Sequence, residues 1–210
     1  DVVGEIEWAK ARRVTPETYV AEAARANRTP PLAAAVVADT FARYEESKHR
    51  RRMVDFDDLL GLCIRDMGDP EVAAAQRWRF RHLFVDEFQD VNPLQFRLLE
   101  AWRGDRYDVT AVGDPQQSIY GWNGADPSFL LDIHRHWPPA QVIELDRSYR
   151  STPEILDAAA RVLRHARQPA REVQAARSSG PAPTTREHAD DRAEAVAIAH
   201  RARLAHLPGR

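Results

Sequence analysis

Two adjacent carboxylates, Asp86 and Glu87, close the short apolar run Leu83-Phe84-Val85. If that run is a buried strand, both acids sit at its carboxyl end, where open α/β sheets bind their ligands. An acidic pair so placed can hold a magnesium ion through water and polarise an attacking water molecule. A second block, Val109 to Asp126, ends an apolar run on Gly113-Asp114 and then presents Gln117. That uncharged amide donates and accepts hydrogen bonds, which suits a sensor of a terminal phosphate. Tyr120 and Trp122 follow, with Gly121 and Gly124 beside them to allow close approach. Flat rings in such a polar, glycine-rich stretch can stack single-stranded bases without reading them, at on the order of 1–3 kcal/mol per base. A third block, Val142 to Pro153, carries Tyr149 and Arg150. Arginine is always charged and engages phosphate oxygens bidentately.

These groups need strands to carry them and helices to brace the strands. Apolar runs predict strands over residues 83–85, 109–112 and 142–145, with a weaker one over 184–188. Helix starts are marked by a capping residue followed by proline: Thr15-Pro16, Asp69-Pro70, Asn92-Pro93, Asp126-Pro127 and Thr152-Pro153. Helices are therefore expected from about residues 16, 32, 70, 93, 127 and 153. Ile155, Leu156, Ala159, Val162 and Leu163 give the last of these one apolar face. Strands alternating with helices imply a mostly parallel sheet. Residues 1–50 read as helical throughout, and residues 168–185, rich in Pro, Ala, Ser and Arg, read as a linker. The basic run Lys48-His49-Arg50-Arg51-Arg52 reads as a solvated helix face.

Composition narrows the classes. A hydrophobic fraction of 43% among 210 residues supports a real core, and 30% charged residues is ordinary for a globular chain. A net charge of −2 means that any nucleic acid must be held by local patches and stacking, not by global attraction. The single cysteine, Cys63, excludes an internal disulfide, suits a reducing cytoplasm, and is expected as a small buried residue on a helix. Apolar runs fall well short of membrane-spanning length.

Taken in order, the three blocks resemble motifs II, III and IV of superfamily 1 DNA helicases of the UvrD/Rep/PcrA type. The resemblance covers nearly the whole chain and is most specific between Leu83 and Pro153. It implies an α/β, RecA-like P-loop NTPase fold: a mostly parallel sheet with flanking helices, an N-terminal helical insertion, and incomplete domains. Residues 1–50 would be part of the insertion, 51–145 the second half of the first motor domain, and 146–210 the start of the second. It makes Asp86 the magnesium ligand, Glu87 the residue that activates water and Gln117 the γ-phosphate sensor. Arg150 becomes a ligand of the terminal phosphate and Tyr149 the partner of the adenine ring. Tyr120, Trp122 and Asn123 become DNA contacts. Gln89 and Asp90 are expected to organise the loop, and Asn92 to cap the next helix. The implied function is an ATP- and Mg2+-dependent 3′–5′ helicase of DNA repair or replication, cytoplasmic and nucleoid-associated, acting on single strands and duplex junctions beside repair proteins. Asn123 stands where many relatives carry arginine, and Ser148 where they commonly carry asparagine.

A Gly-x-x-x-x-Gly-Lys-Ser/Thr loop, which cradles phosphates in such ATPases, does not occur in these 210 residues. Family order places it upstream, so the chain is expected to be a central slice that hydrolyses no ATP alone at a useful rate. A non-catalytic single-stranded DNA-binding remnant and the motor part of a helicase–nuclease are the alternatives.

Overall fold

The computed structural model describes residues 1–166 and 173–205, and side-chain caps set where several of its helices begin. Five helices precede the first strand: α1 (Val2–Ala11), α2 (Tyr19–Arg25), α3 (Ala34–Arg51), α4 (Phe56–Asp66) and α5 (Pro70–Arg79). Strand β1 (Leu83–Val85), helix α6 (Pro93–Arg103) and strand β2 (Val109–Ala111) follow, and then the short helices α7 (Ser128–Leu131) and α8 (Ile133–His136). Strand β3 (Arg147–Ser148), helix α9 (Pro153–His165), strand β4 (Gln174–Ala175) and helix α10 (Asp191–Ala205) complete the order. The chain forms two compact units, Asp1–Val142 and Ile143–Arg210.

Asp69 accepts the Glu71 and Val72 amides ahead of Pro70. Asn92 and Gln95 exchange reciprocal bonds of 2.8 and 3.0 Å ahead of Pro93. Asp126 accepts the Ser128 amide at 3.1 Å and so starts α7. Thr152 precedes α9 without a side-chain capping bond. Helix α2 begins at Tyr19, three residues beyond the expected start near 16, because residues 16–18 form a turn in which Thr18 bonds back to Thr15.

The first unit holds the paired strands that matter here. Strands β1 and β2 run parallel in the register Leu83↔Val109, Phe84↔Thr110 and Val85↔Ala111, with α6 as the crossover that parallel pairing requires. Phe88, Phe96 and Trp137 are buried beneath the carboxyl ends of these strands. Each fully buried aromatic of this kind contributes on the order of 1.5–3 kcal/mol. A second cluster, including Trp8, Tyr19, Val37 and Phe41, joins α1, α2 and α3. In the second unit β3 and β4 pair parallel, Arg147 opposite Gln174 and Ser148 opposite Ala175.

Four sequence expectations need correction. Residues 142–145 are not a strand: Ile143 and Leu145 are exposed, and pairing starts only at Arg147. Residues 184–188 are irregular, and a strand lies at 174–175, inside the predicted linker. Residues 168–172 of that linker lie outside the described residues. Cys63 is on a helix as expected but exposed, since α4 buries none of its residues fully. Lys48 departs from its basic run and is buried among carboxylates. The sheets of the described residues are two-stranded pairs, so the α/β composition and parallel pairing are present on a smaller scale than the expected sheet.

Candidate functional site: the carboxyl ends of β1 and β2

The segment Asp86-Glu87-Phe88-Gln89-Asp90 owes its shape to the one side chain in it that water rejects most strongly. Phe88 is completely buried, 5.6 Å from Trp137 and 6.3 Å from Phe96 between ring centroids. Its amide also donates to Val112 O at 2.9 Å, which extends the β1–β2 pairing past Val85. Anchoring Phe88 inward turns Asp86 and Glu87 outward, and both are exposed. Glu87 adopts φ 52° and ψ 41°, the left-handed region, at on the order of 1–3 kcal/mol for a residue with a Cβ. The strain is held by the bonds around it: the Glu87 amide donates to Asp86 Oδ1 at 2.9 Å, and Gln89 Nε2 donates to Glu87 Oε2 at 2.7 Å.

Val85, Asp86, Glu87, Asp90, Val91, Gln95 and Leu99 line a cleft of about 360 Å3. Three carboxylates, those of Asp86, Glu87 and Asp90, line its walls. Asp90 Oδ1 is buried there with no hydrogen-bond partner among the described residues. An acceptor-rich cleft with one orphaned carboxylate oxygen fits a hard cation, which takes oxygen ligands and keeps part of its water shell. Elsewhere Glu45, Asp55 and Asp58 are the group among the described residues whose carboxylate oxygens lie within 4.8 Å of one another. Lys10 and Lys48 already occupy that cluster, with Nζ–O distances down to 2.6 Å, so it is a filled ion-pair network.

The second block lies against the first. Asp114 begins a single turn of 3-10 helix, accepting the Gln116 amide at 2.9 Å and Gln117 Nε2 at 2.8 Å. Gln117 is exposed, so its amide is presented to solvent while one of its hydrogens holds Asp114. Tyr120 and Trp122 are 46% and 59% exposed, which removes them from the core. Their ring centroids are 6.3 Å apart at an interplanar angle of 50°. The turn that carries them is seated on α1. At Gly124, with φ +95°, an added Cβ would lie 2.8 Å from Ala11 Cβ, and Arg12 pairs with Asp126 at 3.3 Å. Asn123 is half-buried and faces a separate pocket with Glu7, Ala11, Asp57 and Asn92, its Oδ1 unpartnered among the described residues. Burial pushes Asp57 up, and the neighbouring Asp55 carboxylate adds to the shift.

The third block, from Ile143 onward, belongs to the second unit. Tyr149 is 73% exposed with the Arg147 guanidinium 5.7 Å from its ring centroid, and Arg150 is exposed. Ser148 Oγ accepts the Ser151 amide at 3.2 Å and so closes the turn that presents both residues. Sequence reasoning gave Gln89 a loop-organising role and did not foresee that it would be the most deeply buried polar residue of the site, 1% exposed.

A family model described as UvrD/REP helicase N-terminal domain matches residues 3–138. The chain is 46% identical over 207 residues to the ATP-dependent DNA helicase UvrD2 of Mycobacterium tuberculosis, covering 95% of this chain and 30% of that protein. It is 36% identical over 166 residues to the ATP-dependent DNA helicase PcrA of Leuconostoc citreum, covering 78% of this chain and 21% of the relative. With the PcrA of Bacillus subtilis it shares 37% identity over 131 residues, 62% of this chain and 18% of that one. The chain thus spans under a third of the length of these relatives. Because the family model spans well over half of its residues, the chain belongs to the UvrD/Rep helicase family.

Proposed function

We propose that these residues are the central part of an ATP-dependent 3′–5′ DNA helicase that couples hydrolysis to movement along a single strand and to unwinding in DNA repair or replication. One observation carries the reading. The exposed acids Asp86 and Glu87 and the exposed amide of Gln117 are tied together at the carboxyl ends of β1 and β2, on the segment that continues into the rings of Tyr120 and Trp122. In this reading residues 1–50 are part of the helical insertion, 51–145 complete the first RecA-like motor domain, and 146–210 open the second. The reading also places the protein in the cytoplasm at the nucleoid, working on single strands and duplex junctions with repair proteins.

Glu87 orients and deprotonates the attacking water, and Asp86 would hold Mg2+. The ion, when bound, neutralises charge on the phosphates. Gln117 touches the terminal phosphate and Arg150 stabilises its developing charge, while Tyr149 lies against the adenine. Tyr120 and Trp122 stack bases, with Asn123 beside them on the same turn. A phosphate sensor and a base platform on one continuous segment allow nucleotide state to alter grip on DNA, as coupling between two sites requires. The phosphate-cradling loop has to come from outside these residues, so the 210 residues alone hydrolyse no ATP at a useful rate.

The test is ATP hydrolysis by the full-length protein with and without single-stranded DNA. Glu87→Gln is expected to lower turnover by on the order of 10²-fold or more while nucleotide binding persists. Trp122→Ala is expected to weaken stimulation by DNA more than basal turnover. Equal loss of both activities in Trp122→Ala would remove the stacking role, and strong turnover by the isolated 210 residues would contradict the slice.

A further inference from the structure

Gln89 is buried to 1% exposure between two stretches whose functional side chains face solvent. Its amide is committed at both ends. Nε2 donates to Glu87 Oε2 at 2.7 Å and to Asp90 Oδ2 at 3.3 Å, and Oε1 accepts the Asp114 amide at 2.9 Å. Its backbone carbonyl accepts Ser118 Oγ at 3.2 Å. Asp114 Oδ2 then accepts from Gln117 Nε2 at 2.8 Å. The result is an unbroken series, Glu87–Gln89–Asp114–Gln117, from one exposed group to another. Its direction is chemically determined. A carboxylate demands a donor and a backbone N–H demands an acceptor, so a reversed amide would lose both bonds. Gly113 closes the space around it, since a Cβ there would lie 2.7 Å from Gln89 Oε1.

We propose that Gln89 is a positioning residue that couples the aim of the Glu87 carboxylate to the turn carrying Gln117. A displacement of Gln117 when the terminal phosphate leaves moves Asp114, and the buried amide passes that movement to Glu87. This coupling rests on the roles proposed above for Glu87 and Gln117. Glutamine meets the requirement because its side chain carries an NH2 donor group and an acceptor oxygen at the same reach. Glutamate offers no donor to Glu87, and leucine offers neither bond.

The experiment is steady-state ATP hydrolysis by the full-length protein with single-stranded DNA. Gln89→Glu keeps the shape and the acceptor facing Asp114 but replaces the donor to Glu87 with a second acceptor. The expected result is a fall in kcat of on the order of 10- to 100-fold, as for a misaimed catalytic group, with KM for ATP within about two-fold. In a Gln117→Ala background the same substitution should cost less than about three-fold, because the series is already cut. Gly113→Ala displaces the same amide without adding charge. It should reproduce the kcat-against-KM split and keeps the proposal testable if Gln89→Glu does not fold. A residue with only a structural role would lower the melting temperature and raise KM as kcat falls, and its loss would multiply with that of Gln117→Ala. Either that pattern, or a kcat within about two-fold of wild type in both variants, overturns the coupling. Glu87→Gln in the same assay separates the two levels. If it is inactive while Gln89→Glu and Gly113→Ala turn over normally, the coupling alone falls. If it retains turnover, the site roles fall and the coupling with them.

Discussion

Two regions of the first unit treat charge in opposite ways. In the helical layer of α1, α3 and α4, charge is taken out of water and paired. Lys10 and Lys48 share Glu45, Asp55 and Asp58, and Glu5 is buried against Arg28 and the Tyr19 hydroxyl. At the carboxyl ends of β1 and β2, Asp86, Glu87 and Gln117 stay exposed, and only Gln89 among their polar neighbours is buried below one-tenth exposure. Buried, satisfied charge fixes the angle at which helices meet. Exposed charge, held by one buried strut, remains available to a ligand. The acidic cluster that most nearly has metal-binding geometry is therefore architectural, while the sparser acids at the strand ends are the ones proposed to carry the chemistry.

Acid should break the first region, and this is the largest effect expected. Burial alone would raise Asp55 and Asp58, but hydrogen bonds from Lys10 and Lys48 outweigh it and hold both below the usual carboxylate range. Hydrogen bonds from Arg28 hold Glu5 down against its burial, and the Tyr19 hydroxyl adds to the effect. Native carboxylates that are depressed bind fewer protons than the unfolded chain. Their stabilisation is complete above the unfolded values, about 4, and is lost as pH falls through the lower native ones. Melting temperature followed by circular dichroism from pH 7 to pH 2 should decline steeply below about pH 4. An unchanged melting temperature at pH 3 would show that the network adds nothing to folding.

Lys48→Met sharpens the comparison. It leaves three carboxylates sharing the single ammonium of Lys10, and breaking one partner out of a buried network costs about 3–5 kcal/mol. The acid limb should become shallower as well, since the lost ammonium is one of the groups that depresses Asp55 and Asp58. Glu87→Gln, at an exposed position, should change stability by about 1 kcal/mol or less, measured by urea unfolding of both variants. Similar losses in the two variants would erase the division between structural and chemical charge.

This division explains what the sequence made legible. Asp69-Pro70 and Asn92-Pro93 mark helix starts to the residue because a cap and a proline act within one turn of chain, and Thr152-Pro153 marks one through the proline, without a capping bond. The start of α4 was missed because its capping box uses aspartate at the third position, Asp55 with Asp58, where glutamate or glutamine is the usual signal. Leu83–Val85 and Val109–Ala111 are strands because each has the other as partner. The equally apolar run Val142-Ile143-Glu144-Leu145 has the composition of a strand, but composition does not supply a neighbouring edge. The exposed residues proposed for the site stand out in the sequence by their chemistry. Gln89 could not, because its role depends on Asp114, twenty-five positions later, reaching it through a fold. Lys48 was hidden in the same way within a basic run, although acids seven and ten residues on were a usable signal.

A smaller effect than that of Lys48→Met is expected where the two regions meet. Gly124 has φ +95°, and a Cβ there would meet Ala11 on α1 at 2.8 Å. Gly124→Ala should therefore cost about 1–3 kcal/mol, through an unfavourable left-handed backbone and overpacking against the helix. Gly121, between Tyr120 and Trp122, has open space around it and no such backbone constraint, so Gly121→Ala should stay within about 0.5 kcal/mol. Labelled single-stranded DNA binding by the full-length protein separates what the stability change means. If the helical layer seats the aromatic platform, Gly124→Ala weakens DNA binding several-fold, and more than Gly121→Ala does. If Gly124→Ala lowers the melting temperature with DNA affinity intact, the platform is positioned by the strand ends alone, and α1 contributes to folding but not to the grip.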